Sequence, residues 1–166
     1  MTVRFNFESV YGELNWTSLY PNAQGYQAKF LDFCKQELAK SEFPNIDYEI
    51  EEFKSGGTFF NIEKTRMLAV SFKKSQFKNL GIYFRCQQFG NVVLYTLMKT
   101  LDRGFWDSGE ARTEEAIIAG IKDKCKNYAQ WEEFQAIRHL GELIFRDALK
   151  FLDPAWEENK HLFKLT

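Results

Sequence analysis

Asp47, Glu49 and Glu51 alternate along the chain, so an extended backbone sets all three carboxylates on one face. With the Glu52-Phe53-Lys54 triplet that follows, this acidic pattern raises the chemistry of a metal-dependent nuclease. The spacing argues against it. Glu52 and Lys54 point to the face opposite Asp47, whereas a hard-cation site needs oxygens converging from more than one place. A solvated strand face accounts for these residues, and no metal ligand is assigned.

His139 and Glu142 stand at i and i+3, the spacing of a base and its orienting carboxylate on one side of a helix. The local pattern places no Ser or Cys nucleophile beside them, so an exposed polar strip is expected, with Glu142 paired to Arg146. His161 lies near the end of the chain and offers less. Cys34, Cys86 and Cys125 are odd in number and widely spaced, which suits neither a disulfide framework nor a zinc site, and their apolar neighbours suggest reduced, buried thiols. Gly56-Gly57 lacks the lysine and the glycine spacing of a phosphate loop. No catalytic residue and no cofactor is therefore assigned.

Charge is a stronger signal. Residues 58–101 carry Lys64, Arg66, Lys73, Lys74, Lys78, Arg85 and Lys99 against Glu63 alone, a net of about +6 inside a chain whose net charge is −1. The same stretch holds Phe59, Phe60, Phe72, Phe77, Tyr83, Phe84, Phe89 and Tyr95. Basic strands bearing aromatic rings can neutralise phosphates and stack bases. The opposing account places the rings in the core and the cations against acidic helices, because aromatics are favoured in strands in any case. Lys73, Lys74, Phe77 and Lys78, at a hairpin tip, are the leading candidates for binding, with Arg66, Tyr83 and Arg85 on the strands. Trp16, Tyr20, Phe105, Trp106 and Trp156 fall in loops or near termini, and Leu143 falls on the polar side of its helix. Such residues either close a core or anchor a partner.

The elements that must hold these groups follow from periodicity. Val3, Phe5 and Phe7 alternate with polar residues and predict a short strand, followed by a loop through Gly12, Trp16 and Tyr20. Tyr26, Phe30, Phe33, Cys34 and Leu38 recur at helical spacing, predicting a helix over 23–41 that Pro44 cannot extend. Five runs then read as an antiparallel meander: 46–51, 58–62, 66–73, 80–86 and 92–98. Gly90-Asn91 between the last two matches a type II′ hairpin. Thr113 can cap a helix opened by Glu114 and Glu115, and a longer helix spans Trp131 to Leu152 until Asp153-Pro154 ends it and starts a last short helix through Trp156.

A chain of 166 residues with 45% hydrophobic content suffices for one domain with a real core. Its long stretches without a charged residue, Leu14 to Ala28 and Cys86 to Met98, are both short of the roughly 20 apolar residues of a membrane helix. Glu8 follows an alternating start that lacks a signal-peptide apolar region, so a cytoplasmic location is expected. The expectation is a single α+β domain over residues 1–166, in which an N-terminal strand and helix and two to three C-terminal helices accompany a meander of about five strands. Its expected role is non-enzymatic, binding another protein, with nucleic acid or another polyanion on the basic sheet 58–101 as the alternative. A small-ligand carrier, or an enzyme whose site assembles from distant residues, is the third class.

Overall fold

A computed structural model of the chain describes residues 3–4, 7–19, 25–54, 64–107, 109, 113–153, 156 and 163–165. The strands are β1 (Val3–Arg4), β2 (Val10–Leu19), β3 (Ile46–Lys54), β4 (Lys64–Phe72), β5 (Gly81–Phe89), β6 (Val92–Thr100) and β7 (Phe163–Leu165). The helices are α1 (Tyr26–Ser41), α2 (Arg103–Trp106), α3 (Glu114–Lys124) and α4 (Tyr128–Leu152). Among the described residues the strands form one sheet, ordered β1-β3-β4-β5-β6-β2-β7. β3, β4, β5, β6 and β2 pair antiparallel throughout, while the short β1 joins β3 in parallel at one edge. The class is α+β. No helix among the described residues is long and apolar enough to cross a membrane.

Four of the five antiparallel strands are the expected meander, with the Gly90-Asn91 turn where the sequence places it. Phe89 faces Val92 across that turn, and Gly90 takes φ 60°, which a residue without Cβ adopts at no steric cost. The expected strand 58–62 lies outside the described residues. The fifth antiparallel strand is β2, which corrects the loop expected around Gly12 and Trp16. Leu14 and Trp16 point to one side while Glu13, Asn15 and Thr17 point to the other, and they pair with β6 from Leu14↔Leu97 to Leu19↔Val92. A register shift between Val10 and Gly12 turns Tyr11 onto the side of Leu14, breaking the alternation at the strand's start. Of the expected N-terminal strand, Val3–Arg4 is strand and Phe7 instead opens a 3-10 turn over Phe7–Ser9, while 5–6 lie outside the described residues.

The helices cover one face of the sheet. Leu68, Val70, Ile82, Phe84, Cys86, Val93, Tyr95 and Leu97 project beneath α1 and α4, and Phe30 of α1 is fully buried among Tyr95 (5.1 Å), Phe145 (6.1 Å) and Phe84 (6.4 Å). Burying such a ring contributes about 1.5 to 3 kcal/mol. Thr113 caps α3 by accepting from the Ala116 N–H, and Asn127 caps α4 by accepting from the Gln130 N–H. At the far end of α4, the buried Asp153 carboxylate accepts hydrogen bonds from Trp16 Nε1 at 2.6 Å and from the Ser18 hydroxyl. Trp16 and Trp156 then meet edge to face, so these aromatics close the core.

Candidate functional site

The residues expected to bind are distributed over three surfaces. In the loop after β4, Lys74 and Lys78 are exposed, and Lys73 is exposed but paired with Asp47 at 2.9 Å. Phe77 is a correction to the expected hairpin-tip aromatic. It is buried between Phe105 (5.3 Å) and Phe134 (5.9 Å), so its ring pins the loop to the core and presents nothing to a ligand. Arg66 is exposed beside Glu52, its cross-strand neighbour, on the side of the sheet that carries the helices. Tyr83 and Arg85 are half-buried on the opposite side. Lys99, counted from sequence among the sheet's cations, is inside the protein. The strands therefore do not gather these cations and rings onto one basic, aromatic plane.

The face opposite the helices is built from cross-strand rows. Asp47, Glu49 and Glu51 stand along β3 beside Ala69 and Ser71 and line a cleft of about 360 Å³. In the middle, Phe53, Met67 and Met98 form a second, small apolar cluster, with the Tyr83 ring edge-on to Phe53 at 5.8 Å. Asn15 accepts from the Thr96 hydroxyl at 2.7 Å, and Arg85 donates to Gln87 while its Nε is buried without a partner among the described residues. Burial pushes the Glu13 carboxyl up, against the opposing influence of Asn15 and Arg85. At the Gly90 end, Leu19, Val92 and Phe89 are direct cross-strand neighbours. Leu19 is 75% exposed and Phe89 58%, an apolar row that no described helix covers. The described charges of this face are Asp47, Glu49, Glu51 and Glu13 against Arg85 and the Lys73 that pairs with Asp47, so it is acidic where a basic surface was expected.

No family model, curated protein or solved structure matches this chain.

The most unusual chemistry lies under the helices. Lys99, 1% exposed, donates to Glu114 of α3 and, at 2.9 Å, to Glu142 of α4. Arg138 approaches Glu142 at 3.8 Å, so the expected Glu142–Arg146 pair is replaced by one that reaches inward. The Lys99 ammonium also lies 5.9 Å from the centre of the Tyr11 ring. Burial pushes the Tyr11 hydroxyl far up, and it stays protonated. Burial alone would raise the Glu142 carboxyl as well, but the charge and hydrogen bond of Lys99, aided by Arg138 and His139, hold it below the ordinary range. Two cations and two carboxylates make the cluster neutral overall. Gly12 belongs to it by shape, since a Cβ there would stand 2.8 Å from the Glu114 carboxylate and 3.0 Å from the Lys99 side chain.

Sequence alone does not bring Lys99 together with Glu114 and Glu142. Lys99 sits in a basic strand like any surface cation, and Glu114 has sufficient reason to open a helix in the favourable dipole there. A lysine inside the otherwise apolar run Val92–Thr100 was the available signal. Two of the three thiols are buried as expected, and burial pushes Cys86 up to about 12 and Cys34 well above its usual value, whereas Cys125 is half-buried and its thiol donates to the Ile121 carbonyl. His139 remains on the exposed side of α4.

Proposed function

We propose that the chain is a non-enzymatic protein-interaction domain, acting in the cytoplasm, that takes its partner on the helix-free face of the sheet. The exposed row Leu19–Val92–Phe89 carries this reading, because a hydrophobic patch that the described residues leave uncovered at the end of a sheet offers an anchor point for a partner. Charge selects the partner. With Asp47, Glu49, Glu51 and Glu13 outnumbering Arg85 and Lys73, the complementary segment carries lysines or arginines alongside its apolar anchor. Three strand spacings and about four residues of rise separate the apolar row from Glu51, roughly 20 Å, the span of six extended residues.

The test uses two fluorescent probe peptides of that length, one with apolar residues followed by lysines and the other with glutamates in their place, together with a single-stranded oligonucleotide. Anisotropy should show the lysine peptide binding, with binding lost in Phe89→Ser and weakened in Glu49→Lys. Equal binding of the two peptides would remove the charge argument. Oligonucleotide binding that falls steeply with salt, survives Phe89→Ser and is lost when Lys74 and Lys78 become Gln would replace the reading with polyanion recognition.

A further inference from the structure

We propose that Glu114 is the resident occupant of a carboxylate-binding seat formed by Lys99 over Gly12, and that α3 is a hinged plug whose place the carboxylate of another molecule can take. Lys99 does not depend on Glu114 for neutralisation, because Glu142 bonds it as well at 2.9 Å. Removal of Glu114 leaves Lys99 and Arg138 against Glu142, a buried site with one positive charge in excess and a backbone floor that a glycine keeps low. The occupant fits imperfectly: Glu114 is 4% exposed and its second carboxylate oxygen is buried with no donor among the described residues, so part of its bonding capacity is unused there.

α3 is attached unevenly, which supplies the hinge. Its buried side chains are Glu114, Ile117 and Ile121. The C-terminal half is held at several points, since Lys124 donates to the Phe105 carbonyl at 2.7 Å, Lys122 stands over the Trp131 ring and Ile121 is fully enclosed. Among the described residues, the polar tie of the first turn to the sheet is the Glu114 carboxylate alone. Loss of that bond leaves the N-terminal half of α3 with the packing of Ile117 and Ile118 but no described polar tie, while its other end stays docked. A small carboxylate, or an acidic side chain of a partner, is the chemistry that matches what Glu114 supplies.

Acetate serves as the probe. In the wild-type protein, rising acetate should speed amide exchange at 114–120 and leave β5 and β6 unchanged, while chloride at equal ionic strength does neither. Glu114→Gln should raise exchange over the same residues by about ten-fold or more, the cost of weakening one charged hydrogen bond. Glu114→Ala should gain a few degrees in melting temperature from about 0.5 M acetate relative to chloride. Exchange at 114–120 that is blind to acetate in the wild type, or that rises in Glu114→Gln only together with the sheet, would overturn the proposal.

Discussion

Replacing Lys99 with Met tests whether the buried charges hold the helices to the sheet. The two side chains are similar in length and volume, so packing beneath α3 and α4 changes little and the ammonium is what disappears. Glu142 keeps Arg138 at 3.8 Å, but Glu114, 4% exposed, keeps no cation among the described residues. Removing one partner from such a pair costs about 3 to 5 kcal/mol, because the remaining charge stays away from water without compensation. For a domain of this size about 2 to 4 °C of melting temperature goes with each kcal/mol, so Lys99→Met should melt about 6 to 20 °C lower. Adding Glu114→Gln removes the orphaned charge and should recover most of that loss, which makes the double variant more stable than Lys99→Met alone. Urea unfolding followed by circular dichroism, with the slope of the transition checked for constancy, measures all three proteins. Lys99→Met within about 1 kcal/mol of the wild type, or a double variant less stable than it, would refute the reasoning.

Acid should destabilise the protein through Glu142. Its folded-state carboxyl lies below the ordinary value, so its contribution is present above about pH 4.3 and is lost as pH falls through the depressed value; Glu142→Gln should flatten that part of the stability profile measured by urea unfolding. Glu13 acts with the opposite sign, since burial raises its carboxyl, and Glu13→Gln should stabilise slightly at neutral pH in the same assay. Phe77→Ala should cost about 3 to 5 kcal/mol by emptying the space between Phe105 and Phe134. Lys74→Gln and Lys78→Gln, on the same loop but exposed, should each stay within about 0.5 kcal/mol by thermal melting.

Alternation made the meander legible, because Tyr48 and Ile50 among carboxylates, and Ile82, Phe84 and Cys86 among polar residues, can only be satisfied with one face buried. The Gly90 turn and the Thr113 cap were legible for the same reason, each being a local rule obeyed locally. β2 was not, because Gly12 reads as a chain breaker when its neighbours are counted along the sequence. In space it is a strand residue made small by Glu114 and Lys99, which lie far from it in the chain. Phe77 was misplaced because a ring between lysines on a turn gives no indication of which way it faces. The split of Arg66 from Arg85 shows how parity decides a surface: cations close together in sequence stand on opposite sides when their strands place them out of phase.

The position of β2 also constrains how the chain is made. The hairpins of β3 to β6 join neighbours in sequence and can form as they emerge, but Leu14 pairs with Leu97, which the ribosome adds about 80 residues and roughly 4 to 16 s later. Until then β2 has no antiparallel partner in β6, and Trp16 waits longer still for Asp153, 137 residues away. β2 is thus made before β3 to β6 yet settles after them, and until β6 has emerged the newborn chain carries an unpaired, tryptophan-bearing strand. Chaperone capture or aggregation during translation should therefore concentrate on Val10–Leu19, a vulnerability of the nascent chain that disappears once the sheet has closed.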